Sequence, residues 1–251
     1  MSSEPIKVKL VGTGEDTWPI LENLWGFYTE KGVKTVFVSV GITNNAVADL
    51  DIAETLGCPI HLWDVRNEAT VAWDEVRQIL KDRKRSPEAS AFTEGVDTKW
   101  VLPKNIRSYT GIPGFYTGTA EILSKSYPTV SLDECVKQCI TSMKLDEKRI
   151  DILKISLGEG MERALLSALL NTPYRPGLIL LEWSVMPDTD IFTSISAGHL
   201  QNCGYTLLSN KGNRFLYMFT DRCMYEICSW ETNKVANPLV AEIITASQKG
   251  H

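Results

Sequence analysis

The stretch from Ile150 to Trp183, I-D-I-L-K-I-S-L-G-E-G-M-E-R-A-L-L-S-A-L-L-N-T-P-Y-R-P-G-L-I-L-L-E-W, decides the fold because its hydrophobic period changes twice. Asp151 to Ser156 is a short apolar run with a polar residue at each end, the pattern of a strand buried on both faces. Met161, Ala164, Leu165, Ala168 and Leu169 then recur every three or four residues, which lines one face of a helix. That helix ends near Asn171 and Pro173, and a second buried run follows from Leu178 to Leu181. Strand, helix and strand within 34 residues match the size of a parallel βαβ unit. In an open α/β sheet a ligand sits beyond the carboxyl ends of the strands, which here are Ser156-Leu157-Gly158-Glu159-Gly160 and Glu182-Trp183. Each of those ends carries a carboxylate.

Toward the N-terminus the same grammar repeats. Thr35 to Val40 is β-branched and apolar and reads as the first central strand, ending in Gly41-Ile42-Thr43-Asn44-Asn45. Ala46 to Leu56 reads as a helix closed by Gly57, and Pro59 to Trp63 as a second strand ending at Asp64. A glycine turn after the first strand lets a ligand approach the backbone, and an acid after the second can accept from both hydroxyls of a ribose. Residues 1–32 are expected to form a leading strand followed by a helix, Glu15 to Lys31, with Trp18, Leu21, Leu24, Trp25 and Tyr28 on one stripe.

Toward the C-terminus, Glu68 to Asp82 reads as an amphipathic helix and Trp100 to Leu102 as a third strand. Residues 103–128 are rich in Gly, Tyr and Thr and are expected to form a long loop. Its Tyr109, Phe115 and Tyr116 offer flat faces on which a sugar stacks, or which simply pin the loop. Ser131 with Glu134 three residues later is a capping box opening a helix from Leu132 to Met143. After the βαβ unit come a helix from Asp190 to Asn202, then strands Tyr205 to Leu208 and Arg214 to Thr220 joined as an antiparallel hairpin. Residues 33–230 thus read as one doubly wound domain, and 231–251 as a terminal helix and tail.

The run D-I-L-K-I-S-L-G-E-G-M-E-R-A-L-L, preceded by S-L-D-E-C and followed by R-P-G-L-I-L-L-E-W, resembles the signature of the FkbM-type S-adenosylmethionine-dependent methyltransferases. Two departures stand out there: Ser156 replaces the family's aspartate, and Gly158 is an extra residue. On the first strand V-F-V-S-V-G-I-T-N-N keeps the glycine but has Ser39 in place of an acid, while H-L-W-D-V-R-N-E-A has Asp64 in place of glutamate. The resemblance implies an α/β fold with a Rossmann-like methyltransferase sheet, mostly parallel with a C-terminal antiparallel hairpin and helices on both faces. It also implies S-adenosylmethionine as cofactor, held by Ser39, Gly41, Thr43, Asn44, Asp64, Val65 and Ser156, and a sugar or glycan hydroxyl as acceptor. The turn G-I-T-N-N agrees in its own right, because a phosphate-bearing nucleotide wants more glycines to cradle its oxygens than the one present.

Methyl transfer to an oxygen needs a placed acceptor and a group that takes its proton. Glu159, Glu182 and His199 are the candidates. Glu159 at a helix start is equally a first-turn acid, Glu182 after four apolar residues is equally half of a buried ion pair with Lys154, and His199 is equally a surface histidine. Ser39 and Ser156, both standing where acids are expected, equally suit a non-catalytic binding or assembly module of the same fold.

A net charge of −5 argues against a nucleic-acid binder, and no apolar run is long enough to span a membrane. Six cysteines without a paired C-x-x-C, and only three histidines, point to reduced thiols in a cytoplasmic setting and to no metal site. A homo-oligomer, or a neighbouring domain in a longer chain, fits the same composition.

Overall fold

The structure is a computed structural model. It describes residues 8–13, 16–21, 35–41, 48, 49, 51, 52, 58, 60–64, 106–110, 112–114, 116–122, 125–145 and 149–220. The strands are β1 (Val8–Thr13), β2 (Asp16–Leu21), β3 (Phe37–Val40), β4 (Ile60–Asp64), β5 (Ile106–Thr110), β6 (Ile112–Gly114), β7 (Gly118–Ile122), β8 (Lys125–Ser131), β9 (Ile152–Ile155), β10 (Leu178–Glu182), β11 (Tyr205–Lys211) and β12 (Arg214–Phe219). Among the described residues the helices are α1 (Leu132–Met143), α2 (Met161–Leu170) and α3 (Ile191–Asn202).

Seven strands form the central sheet in the order β11-β12-β10-β9-β3-β4-β5. From β5 to β10 every pairing is parallel, and β12 runs antiparallel to both β10 and β11. The chain therefore lays β3 in the middle, winds outward through β4 and β5, and returns to add β9 and β10 on the other side. That reversal puts a topological switch point between β3 and β9, where doubly wound sheets open a crevice. This is the Rossmann-like methyltransferase sheet that the resemblance implies, closed by its antiparallel hairpin.

The two faces are covered differently. On one, Val38, Val40, Leu153, Ile155, Ile179 and Leu181 pack with α1 through Cys135, Val136 and Cys139 and with α2 through Leu165, Leu166 and Leu169. Of the α2 stripe read from the sequence, Met161, Leu165, Ala168 and Leu169 are buried as the 3.6-residue period requires, whereas Ala164 is exposed and Leu166 takes its place against the sheet. Ser131 caps α1 by accepting from the Glu134 backbone N–H at 3.3 Å. On the other face lie the helical residues 48, 49, 51 and 52 and the β1–β2 hairpin, which reaches β10, β11 and β12. Burial pushes the Cys58 thiol up to about 12 and the Cys135 thiol well above its ordinary value. None of Cys58, Cys135, Cys139 and Cys203 is in a disulfide. Among the described residues no helix is long and apolar enough to cross a membrane, and no group of three or more acids, histidines or cysteines is placed to hold a metal.

Two expectations are corrected. Asp16 to Leu21, read as the start of a helix, is a strand paired with β1 from Val8↔Leu21 to Thr13↔Asp16. Pro19 explains it, because proline has no N–H for a helix interior and its ring clashes with the preceding turn. Residues 103–128, read as a loop, contain β5, β6 and β7, and with β8 the last two build a separate three-stranded sheet. These strands are three to seven residues long and broken by glycines, too short to set up a visible alternation. The third strand of the central sheet is thus Ile106–Thr110. The segments Trp100–Leu102, Glu68–Asp82 and 221–251 lie outside the described residues.

Candidate functional site

Strand register brings one transverse row to the carboxyl edge. Val40 lies opposite Trp63 on one side and Ile155 on the other, and Ile155 lies opposite Leu181. One residue further on, Asp64, Gly41, Ser156 and Glu182 come into line, with Arg214 opposite Glu182. Two backbone hydrogen bonds extend the sheet this far: Gly41 N to Trp63 O at 2.8 Å and Ser156 N to Val40 O at 2.8 Å. Asp64 and Ser156 are buried, whereas Glu182 is partly exposed.

Gly41 is required by the chain itself. Its φ is +82°, and a Cβ there would sit 2.1 Å from the Ser156 carbonyl oxygen. The expected role of this glycine, close approach by a ligand, is therefore preceded by a close approach between the ends of β3 and β9. Thr43, Asn44 and Val65 lie outside the described residues.

The two serines that replace expected acids each bond an acid from elsewhere. Ser39 Oγ donates to Asp49 Oδ1 at 2.6 Å, and Ser156 Oγ donates to Glu182 Oε2. Both acids also meet a cation. Lys154 Nζ lies 3.0 Å from Asp49 Oδ1, each side chain 1% exposed, and Arg214 Nε lies 3.3 Å from Glu182 Oε1, at 13% and 19%. Glu182 is thus half of an ion pair, as one reading allowed, but its partner is Arg214 rather than Lys154. The ring of Trp18 is in reach of both cations, its centroid 4.7 Å from Lys154 Nζ and 5.1 Å from the Arg214 guanidinium carbon. Arg214 Nη1 also donates to Thr17 O at 3.1 Å, and Lys211 Nζ to Thr17 Oγ1, so the N-terminal hairpin closes this network.

Glu159 occupies an unusual turn. Gly158, Glu159 and Gly160 have φ of 75°, 55° and 78°, three successive left-handed residues closed by Met161 N to Gly158 O at 3.0 Å. The extra Gly158 supplies the conformation, and the turn leaves Glu159 exposed at the N-terminus of α2. Glu162, a turn later, is buried; its two oxygens accept from Ser184 N at 3.0 Å and Ser184 Oγ at 2.9 Å. Ser184 Oγ in turn accepts from Gly160 N at 3.1 Å, which locks the turn to the end of β10.

The remaining candidates are spread apart. His199 is exposed in the last turn of α3. It stands eight residues beyond the helix start, ~12 Å along the helix from Ile191 at the α-helical rise, whereas the reading from sequence has it at the carboxyl edge. The sequence placed it there only because its helix begins at that edge. Tyr109 is one residue short of the end of β5, at the register position opposite Trp63. Tyr116 is exposed in the turn before β7, its hydroxyl donating to Thr119 O at 3.2 Å. Phe115 lies outside the described residues.

Asp49, Arg214 and Glu162 were missed by sequence reasoning. Two left a signal: a lysine inside the buried run I-L-K-I needs an acid, and Glu162 shares the apolar stripe of Leu165, Leu166 and Leu169. Arg214, at the start of a hairpin strand, left none.

The chain matches no protein-family model and no curated protein. Among solved structures it is similar to a Corynebacterium glutamicum protein, with 12% identity, a TM-score of 0.43 and 79% of each chain covered. It is also similar to a precorrin-6Y C5,15-methyltransferase from Geobacter metallireducens, at 12% identity and a TM-score of 0.37, over 82% of this chain and 90% of that one. A putative tRNA (m1A22) methyltransferase from Streptococcus pneumoniae, in complex with S-adenosyl-L-methionine, has 12% identity and a TM-score of 0.33, over 92% and 98%. Similarity at this level does not extend to activity or ligand.

Proposed function

We propose that this chain is an S-adenosylmethionine-dependent O-methyltransferase acting on a sugar hydroxyl. The observation that carries the reading is the row Asp64, Gly41, Ser156 and Glu182 along the carboxyl edge, flanking the switch point between β3 and β9. The row carries two carboxylates, and its one cation, Arg214, is already paired with Glu182. Such an edge repels a phosphorylated nucleotide and suits a phosphate-free adenosyl ligand with a positive sulfur. Bound there, S-adenosylmethionine would supply an electrophilic methyl group on a sulfonium.

The chain's own residues have separable tasks. Asp64 accepts hydrogen bonds from the two ribose hydroxyls. Ser39 and Ser156 stand at the first strand and at the switch point, and Thr43, Asn44 and Val65, which follow Gly41 and Asp64 in the sequence, are proposed as further donor contacts. Glu182 accepts the proton of the acceptor hydroxyl, with Arg214 and Ser156 fixing the direction of its carboxylate. Glu159, exposed on the left-handed turn, is the alternative proton acceptor. Tyr109, Phe115 and Tyr116 are the aromatic residues proposed, from the sequence, to stack on the sugar. The sugar itself is supported by the family resemblance alone.

One observation favours a second reading, a non-catalytic module of the same fold: Asp49 and Glu182 are each already bonded to one serine and one cation. Calorimetric titration with S-adenosylmethionine separates the two. Binding weakened ~10- to 100-fold by Asp64→Ala, the scale of one or two hydrogen bonds to a charged group, supports the enzyme. Transfer of radiolabelled methyl to a panel of glycans, abolished by Glu182→Gln while donor binding survives, then assigns the proton acceptor. No heat with any donor rules the enzyme out in favour of the module.

A further inference from the structure

Past the last ladder pair of the two strands, Ile155 with Leu181, side chains join the ends of β9 and β10. Ser156 reaches Glu182, and Ser184 reaches back to the turn that carries Glu159. Ser184 is exposed, yet its hydroxyl oxygen accepts from Gly160 N at 3.1 Å while its own two protons go to Glu162, N–H to Oε1 at 3.0 Å and O–H to Oε2 at 2.9 Å. Glu162 is fully buried in the first turn of α2, and among the described residues no cation meets it. A buried carboxylate of this kind is unfavourable unless its oxygens are satisfied, and here both oxygens are given to one serine. The turn on the other side is unfavourable too, because Glu159 keeps a left-handed φ of 55°. The two features meet at a single hydroxyl beside Glu182. Strain that the surrounding bonds over-determine gathers at functional sites.

From this junction we infer that Ser184 is a positioning residue: its hydroxyl, oriented by Glu162, sets the spacing between the Glu159 turn and the end of β10, and with it the relation of Glu159 and Glu182 to the acceptor. The consequence for transfer rests on the O-methyltransferase reading above, whereas the bridge itself rests on the hydrogen bonds alone. Glu162 accepts both protons that Ser184 can offer, which leaves the hydroxyl lone pairs for Gly160 N–H. Two further sets of contacts keep the junction from sliding. Trp183, between Glu182 and Ser184, donates from its N to Asn213 O at 2.9 Å and accepts at its O from Asn213 Nδ2 at 2.9 Å. On the opposite side the Arg163 guanidinium lies against Gly160, where a Cβ would come within 2.5 Å of Nη2, and Arg163 Nη1 donates to Asp190 Oδ2 at 2.8 Å. A misplacement of about 1 Å at a reacting group costs ~100-fold in rate. A hydroxyl that sets this spacing without touching the donor therefore acts on turnover and not on donor affinity.

The test is Ser184→Ala in the full chain, which removes an exposed hydroxyl and spares Asp64, Gly41 and Glu182. The kcat for methyl transfer at saturating donor is expected to fall ~10- to 100-fold, while calorimetric donor affinity and the thermal midpoint stay at wild-type values. Amide exchange followed by NMR should show Gly160 exchanging about tenfold faster, the scale of one lost hydrogen bond, with the amides of β9 unchanged. Ser184→Thr keeps a hydroxyl at the same place and restores both rates. Thr189→Ala, which removes an exposed hydroxyl bonded to Met186 O in the same segment, changes neither. A wild-type kcat in Ser184→Ala overturns the inference, as does an equal fall in Thr189→Ala or an unchanged Gly160 exchange rate. A wild-type chain that transfers no methyl group, while Ser184→Ala still releases Gly160, overturns the O-methyltransferase reading instead and leaves the bridge between the two strand ends in place.

Discussion

Two ion pairs on the same side of one sheet have opposite characters. Lys154 and Asp49 meet at 3.0 Å with almost no exposure, whereas Arg214 and Glu182 meet at 3.3 Å on the carboxyl edge and keep some access to solvent. The Trp18 ring touches both cations, so the pairs belong to one network with an inner and an outer end. The inner pair has traded water for a single partner and one serine, and removing either charge strands the other. The outer pair retains part of its hydration. Buried charge in this network is therefore structural at the centre of the sheet and available for chemistry only at the rim.

The largest test of that division is Lys154→Ala, which leaves Asp49 buried and unpaired. A loss of ~3–5 kcal/mol is expected, read as a lowered midpoint in urea unfolding. The double variant Lys154→Met with Asp49→Leu should recover most of it, and failure to recover would mean that the pair is not the dominant contribution. Next comes Gly41→Ala, which probes the seam between the two ends of the network. Its Cβ collides with the Ser156 carbonyl at a left-handed φ, so a loss of ~2–4 kcal/mol follows from overpacking and strain together. The same unfolding experiment measures it.

Arg214→Met should cost only ~1–2 kcal/mol, in the range of a part-exposed charged hydrogen bond. It should lower methyl transfer far more than stability, because Glu182 loses the group that orients it. Equal stability losses for Lys154 and Arg214 variants would erase the distinction between inner and outer pair. The smallest effect is of opposite sign. Glu159→Gly relieves a non-glycine residue held at φ 55° and should stabilise the fold by up to ~1 kcal/mol, with transfer activity unchanged if Glu182 is the proton acceptor and reduced if Glu159 is.

Much of the scaffold was legible residue by residue. The I-L-K-I run, the Met161 to Leu169 stripe and the L-I-L-L run became β9, α2 and β10, and Ser131 with Glu134 capped α1. Each of those signals is local, spanning a turn of helix or a few strand residues. In the N-terminal hairpin Trp18 and Leu21 share a helical spacing by coincidence, and Pro19 between them, which a helix interior does not accommodate, is the residue that marks the strand. The strands between Ile106 and Ser131 escape a reading from sequence because runs of three to seven residues broken by glycines hold too little periodicity to register.

By itself the sequence determined the order of buried segments, and with it the doubly wound sheet and the acid at the end of β4. Only the tertiary structure decided which charges meet. Asp49 with Lys154, and Glu182 with Arg214 and Ser156, are partners because strand order and register set β9 between β3 and β10. Periodicity reports whether a side chain faces inward, which is a property of its own segment. Partnership depends on what the rest of the chain brings to that side, and a buried charge accepts whichever opposite charge the sheet delivers.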